Sequence, residues 1–461
     1  MITVNWSQLH VDLLIRIVEN HLLAVDDFIV FSSVCHTWNH AARACNKLHL
    51  RKNWLRQMPW LMLTDGNDDE VYSDTGSYGE HMHDYPSDDD SYYTSSGSDD
   101  DSYYTGSGED EDQPDEYDLL VDDDYYWNVK DGKRMLLNLS HNRNKGYSMS
   151  LYETYGKACW GSRYGWIVIL GLNRRMHLFN PLTKAQLPLP SQTTFWHHWD
   201  RARDKTIRKM FLFKVVVLQV PRDEQNDNVP WLVVAIQHSY LLVAVARPGD
   251  ASWMQINCPD SLTAFMDVIY CNKMKSLVFL DASGELFTYD IHNSKQPQEF
   301  KEYLHGHYID DYYDLPNPEG IIAHAYLAQS ANDMFIIVRY KRKLFGNNYL
   351  DSNHNYKTEI FKVYRCSSLA TNGEEVSEIG NVALFVGGNE TMCIAASDGG
   401  CRSNCIYFSD DDRHNYHLNR DKVGGHDSGV FNLIDKSIGS IYDGNNSKSS
   451  YCPPFWFSPA I

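Results

Sequence analysis

Few of the residues that do chemistry stand at spacings that would let them do it. His197 and His198 are adjacent, and neighbouring side chains diverge on a helix or a strand, so the pair reads as part of a loop rather than as two metal ligands. Asp410, Asp411 and Asp412 beside His414 put acids and a base on one short stretch, which reads as an exposed turn between strands. Cys401 and Cys405 lack a second cysteine pair at zinc-ligand spacing. The chain has no Gly-x-Ser-x-Gly elbow, no Walker-type phosphate loop and no His-Glu-x-x-His pair. Paired carboxylates of the glycosidase kind leave no recognisable spacing, so that one enzyme class stays open to geometry. The expectation is a non-catalytic protein that uses neither metal nor cofactor.

Charge narrows the partners. Of 61 acidic residues, 23 lie between Asp65 and Trp127, a span without a single Lys or Arg. The remainder carries 38 acids against 41 bases, so the formal charge of −20 belongs to one segment. Against that near-neutral remainder, Arg201–Lys205 and Arg339–Lys343 read as solvated loops, which argues against a nucleic-acid surface. From Asp65 to Asp118 the only aliphatic side chains are Val71 and Met82. Residues 65–124 are therefore expected to form a disordered acidic insert, with too little apolar area to offset chain entropy. Within it Asp88–Thr94 recurs as Asp99–Thr105, a duplication too short for a repeat architecture. Ser87, Ser98 and Ser107 each precede acids at +2 and +3, the pattern that acidophilic kinases prefer, and are candidate phosphorylation sites. Weak calcium binding and attraction of a basic partner are alternative roles for the segment, although no EF-hand loop is present.

Two kinds of element must carry the rest. Over residues 6–46, Leu13, Leu14, Ile17 and Val18 recur at helical spacing. Asp26 is a candidate N-cap for a second helix with Phe28, Phe31 and Val34, and a third runs from Thr37 through Trp38, Ala41, Ala42 and Cys45. Three short helices bury little area alone, so their apolar surface must meet a partner or the following domain. Beyond residue 125 short apolar runs alternate with turn signals, among them Met176–Phe179, Leu286–Tyr289, Met334–Val338 and Cys405–Phe408. Asn180-Pro181, Pro248-Gly249 and Ser283-Gly284 punctuate them. With no long amphipathic helices between the strands, some 310 residues of this pattern suit a β-propeller of six or seven blades.

The N-terminal string Trp6–Ile17 followed by Asp27–Trp38 resembles an F-box, with Leu9, Leu13, Leu14, Ile17, Val34, Cys35 and Trp38 at the pattern's positions. His10 stands where the family usually has proline. The resemblance implies that these eight residues dock on a Skp-type adaptor and through it a cullin, in the helix-in-groove manner. Further along, Pro59–Leu63, Cys159–Trp166, Asn180–Thr183, Leu187–Pro190, Gly249–Trp253, Ala383–Gly387, Asn404–Asp411, Gly429–Leu433 and Trp456-Phe457 resemble plant F-box proteins whose C-terminal part is a propeller long catalogued as a domain of unknown function. The likeness covers the chain except 65–124. It pairs the strand at Pro59–Leu63 with one at Tyr125–Val129 and makes the acidic run a loop between them. Such length costs little, about 0.6 kcal/mol per doubling.

The expected fold is thus mainly β, an F-box domain over 1–50 and a propeller over 51–461 with 65–124 inserted. The resemblance implies the substrate-recognition subunit of a Skp–cullin–F-box ubiquitin ligase, its propeller holding a protein target. The alternative is a stand-alone binding protein that sequesters its partner. Met1–Leu14 lacks the profile of a signal peptide, no apolar run reaches membrane-spanning length, and ten scattered cysteines suit a reducing compartment. Cytosol or nucleus is expected, with no membrane partner.

Overall fold

The computed structural model describes residues 6, 9–22, 25–45, 58–64, 133–140, 145–155, 157–171, 173–195, 212–220, 231–237, 242–256, 264–292, 301–302, 321–331, 333–343, 356–367, 373–411, 427–441 and 452–460. Residues 65–124, and with them Ser87, Ser98 and Ser107, lie outside this set, as do His197, His198 and the expected strand at Tyr125–Val129.

Helices α1 (Val11–His21), α2 (Val25–Ser33) and α3 (His36–Ala44) come first. His10 caps α1, its Nδ1 accepting from the Asp12 N–H at 3.3 Å, while its carbonyl accepts from Leu13 and Leu14. Asp26 is not the N-cap expected from the sequence. Helix α2 already begins at Val25, and Asp26 sits in its first turn.

The strands then fall into six sheets among the described residues. Blade 1 holds β1 (Trp60–Thr64), β2 (Lys133–Asn138) and β3 (Lys145–Ser150). Blade 2 is β4 (Ala158–Gly161), β5 (Ile167–Leu170), β6 (Met176–Phe179) and β7 (Gln186–Leu189). Blade 3 is β8 (Leu212–Gln219), β9 (Trp231–Gln237), β10 (Val243–Ala246) and β11 (Met254–Ile256). Blade 4 is β12 (Phe265–Cys271), β13 (Ser276–Asp281), β14 (Leu286–Tyr289) and β15 (Lys301–Glu302). Blade 5 is β16 (Ile321–Gln329), β17 (Met334–Lys343), β18 (Tyr356–Cys366) and β19 (Glu374–Glu375).

Blade 6 departs from the simple meander. Strand β20 (Val382–Val386) pairs antiparallel with β21 (Met392–Ala395), and the one-turn helix α4 (Ala396–Gly399) then returns the chain so that β22 (Cys405–Phe408) lies parallel to β20. Strands β23 (Gly429–Asn432) and β24 (Ile438–Gly439) complete it. The last strand, β25 (Phe455–Phe457), returns to blade 1 and pairs with β1, Leu61 opposite Trp456. The first and last strands thus close the ring in one sheet. Gly161 sits where it must, since a Cβ there would lie 2.0 Å from the Trp456 carbonyl. Blade number is settled at six.

Strand alternation explains how the ring holds. On β1, Trp60 and Met62 join the apolar layer shared with blade 2, while Leu61 and Leu63 join the layer shared with blade 6. The same division recurs around the ring, giving an apolar layer at each of the six blade boundaries. Each large side chain buried there contributes about 1.5–3 kcal/mol. The helical unit joins the first of these layers through Leu14, Val18, Phe28, Phe31, Ala41 and Ala42. Its apolar surface meets the following domain, as three short helices require. Strand β1 pairs with β2, so residues 65–132 connect two hydrogen-bonded strands of one blade.

Candidate functional site

The helical unit sorts the F-box-like residues into three groups. Leu14 is buried in the layer shared with blade 1. Leu9, Ile17, Cys35 and Trp38 are half-buried. Trp38 packs on Phe31 with ring centroids 4.4 Å apart and donates its indole N–H to the Trp6 carbonyl at 3.2 Å. His10, Leu13 and Val34 face solvent, Leu13 at 49% and Val34 at 53% exposure. Four of the nine exposed large hydrophobics among the described residues (Trp6, Leu13, Val30 and Val34) fall within residues 6–45.

The propeller interior does the opposite and buries charge. Arg339 on β17, with no side-chain exposure, donates to the Asp411 carboxylate at 3.2 Å, the Asp427 carboxylate at 2.9 Å, the Ser409 carbonyl at 2.9 Å and the Thr358 hydroxyl at 2.7 Å. Its guanidinium also lies 4.7 Å from the Phe408 ring. Lys341 reaches the same Asp411 oxygen at 3.2 Å, and the Tyr326 and Tyr356 phenols donate to Asp411 and Asp410. Thr358 gives Asp427 both its backbone N–H and its hydroxyl. Burial pushes the Asp411 carboxyl up, but Lys341, Arg339 and His324 beside it pull it well below the usual carboxylate range. His324 is held neutral, lowered to about 3 by burial against the opposing pull of Asp411. The network joins blades 5 and 6 across their boundary. It also corrects two sequence expectations: Arg339–Lys343 lies in a strand rather than a solvated loop, and Asp410 and Asp411 are buried rather than in an exposed turn, while Asp412, His414 and Arg201–Lys205 lie outside the described residues.

A second cluster ties the inner strands. Lys214 on β8 and Asp267 on β12 approach to 2.7 Å, both essentially without exposure, although the ammonium is not aligned for a hydrogen bond. Asp267 Oδ2 accepts from the Leu327 N–H on β16 at 2.9 Å and from the Thr391 hydroxyl beside β21 at 2.7 Å. One carboxylate thereby engages the inner strands of blades 3, 4, 5 and 6. Each ladder carries a bulge at this point, between Leu212 and Lys214 and between Phe265 and Asp267, which turns the charged side chain off the alternation. A third bulge precedes Lys341. Nearby, Glu390 is 4% exposed, and the Arg163 N–H reaches it at only 3.4 Å. Burial raises Glu390 to about 7, against the pull of Arg163.

Sequence reasoning missed Lys214, Asp267, Arg339, Lys341, Asp427 and Glu390 as interior groups. A signal existed for two of them: Lys214 and Asp267 interrupt otherwise apolar strands. Among the described residues no group of three or more His, Cys, Asp or Glu could hold a metal ion, and no helix is long and apolar enough to cross a membrane. Around Arg339 the buried charges are saturated by one another, which is the arrangement of a structural network, whereas the Lys214 ammonium makes no hydrogen bond.

No curated protein matches the chain. Solved structures that resemble it include Kluyvelomyces marxianus Hsv2, 10% identical over 48% of this chain and 62% of that one, with a TM-score of 0.25. Others are the Myceliophteria thermophila Cps50 (Swd1) β-propeller domain, 9% identical over 71% and 84% with a TM-score of 0.29, and the WD40 domain of SCAP from fission yeast, 11% identical over 50% and 54% with a TM-score of 0.26. This chain therefore spans less than two thirds of the length of Hsv2. The fold rests on its own six sheets rather than on these distant likenesses. The profile of the KIB1-4 beta-propeller family matches residues 136–432, from β2 through β23, so that well over half of the sequence lies within one family's pattern. The chain belongs to the KIB1-4 beta-propeller family.

Proposed function

We propose that this protein is the substrate-recognition subunit of a Skp–cullin–F-box ubiquitin ligase, working in the cytosol or nucleus. The observation that carries this reading is the solvent exposure of Leu13 and Val34, two apolar positions of the F-box pattern, on a helical unit seated against a protein-binding propeller. Of the other positions of the pattern, Leu14 is buried and Leu9, Ile17, Cys35 and Trp38 are half-buried. The adaptor would cover this face, and a protein target would sit on propeller loops. The subunit itself contributes proximity and orientation rather than acid, base or nucleophile.

Co-purification of the full-length chain with a Skp-type adaptor and cullin tests the proposal. Capture by the unaltered chain, lost when Leu13 and Val34 are both changed to Asp, is the expected result. Absence of adaptor from the unaltered chain, while target proteins still bind, would leave a stand-alone binding protein.

A further inference from the structure

We propose that Asp26 and Asn138 form a clamp that fixes the angle between the helical unit and blade 1, and so positions whatever docks on the helices relative to whatever the propeller holds. Asp26 projects from the first turn of α2, and Asn138 closes β2. The Asn138 amide donates to both Asp26 oxygens, at 3.2 and 3.0 Å. Its own oxygen accepts the Ser140 N–H at 3.0 Å, which fixes the amide's orientation. Asn138 is 7% exposed, so water competes poorly for the pair.

Tyr147 stands beside the pair on the neighbouring strand. It lies on β3, opposite Leu136 of β2. Burial, with the charge of Asp26 and then Asp27, pushes its phenol up to about 12, so it keeps its proton and adds no second negative charge beside Asp26. The ring stacks on Trp60 of β1, centroids 5.2 Å apart and 12° from parallel. One helical carboxylate is therefore held by β2, next to a stack of Tyr147 and Trp60 that packs β3 against β1. A tether needs only a linker. Apolar contact alone permits sliding, whereas charge-assisted hydrogen bonds fix a direction.

The clamp's consequence for ubiquitin transfer rests on the proposed function, but its existence does not, and the test separates the two. Spin probes placed as unnatural residues at Asn20 and Met274 of the full-length chain report the distance distribution between the units by pulsed electron resonance. The expected result is a narrow distribution in the unaltered chain and one about twofold broader for Asp26→Ala. Asp26→Asn, whose amide oxygen still accepts from Asn138, should restore most of the narrow distribution. Should Asp26→Ala fold poorly, Asn138→Leu keeps the side-chain volume, loses the amide donor and should broaden the distribution on its own. Equal widths in the unaltered chain and in Asp26→Ala or Asn138→Leu would overturn the clamp, even if the unfolding midpoint falls. Failure of the adaptor to bind would instead sink the ligase reading and leave this measurement standing.

Discussion

The helical unit and the boundary between blades 5 and 6 invert the usual distribution of side chains in opposite senses. The helices leave Leu13 and Val34 in water, while the blade boundary buries Arg339, Lys341, Asp411 and Asp427. The difference lies in where the partners are. Arg339 finds its oxygens within the same chain, on Ser409, Asp411, Asp427 and Thr358. Leu13 and Val34 find no such cover. A buried charge saturated by its own chain is architecture, whereas the exposure of Leu13 and Val34 is what the proposed adaptor would remove.

Removing the guanidinium should break this comparison most severely. Arg339→Met leaves buried Asp427 without its cation and Asp411 with Lys341 alone, and should lower stability by about 3–5 kcal/mol, read from urea unfolding. A loss under 1 kcal/mol would mean that Lys341 and the tyrosines suffice.

Glu390 offers a second test through pH. Its carboxyl ordinarily titrates near 4.5 and is raised by burial to about 7. Between those values the unfolded chain gives up the proton and the folded chain keeps it. The stability this group contributes is therefore complete below pH 4.5 and lost as pH rises through 7, about 3 kcal/mol in all. Glu390→Gln should flatten that decline and make the protein the more stable of the two at pH 8. His324 works the other way, since burial lowers it from 6.5 to about 3, so its contribution is present above 6.5 and lost as pH falls through 3. An unchanged pH profile in Glu390→Gln would assign the decline elsewhere.

On the exposed side, Leu13→Asp should cost about 2 kcal/mol of adaptor affinity, roughly 30-fold, with stability within about 0.5 kcal/mol of the parent. Titration calorimetry beside thermal unfolding separates the two effects, and a large stability loss would place Leu13 in the core after all.

The smallest effect belongs to His10→Pro. The backbone at His10 already has φ −62°, the value proline enforces, so only the side-chain cap is lost. Stability should change by less than about 1 kcal/mol. Adaptor affinity should hold or rise; a fall would show that the histidine ring itself makes a contact.

Much of the architecture was legible because it is written locally. Met176–Phe179, Leu286–Tyr289 and Cys405–Phe408 stand as strands with the bounds that apolar runs and turn residues imply. The turns carry the chemistry their residues promise. Asn180 accepts from Leu182 and Thr183, Gly249 adopts φ 88°, and Asp281 accepts from Ser283 and Glu285. Helix α1 buries Leu14 and Val18, two of the four residues at its helical spacing. Other elements were hidden by composition. Strand β16 contains His324 and alternates small with large residues, and β17 and β18 run several residues past their apolar centres into charge. The parallel pairing of β20 with β22 had no sequence signal, because its cause is the hairpin and short helix between them.

By itself, then, the sequence determined the helical unit, the run of short strands, their turn chemistry and the separation of an acidic segment from a nearly neutral remainder. Those properties depend on neighbours a few positions away, which periodicity and composition record. The tertiary structure alone decided that there are six blades, that the ring closes through β25, that Asp26 reaches across to blade 1, and that the charges of β17 are interior. Arg339 meets Asp411 and Asp427 across 72 and 88 positions of chain. Whether a charged side chain is solvated or buried depends on what the folded chain brings to it over such distances, and no local pattern encodes that.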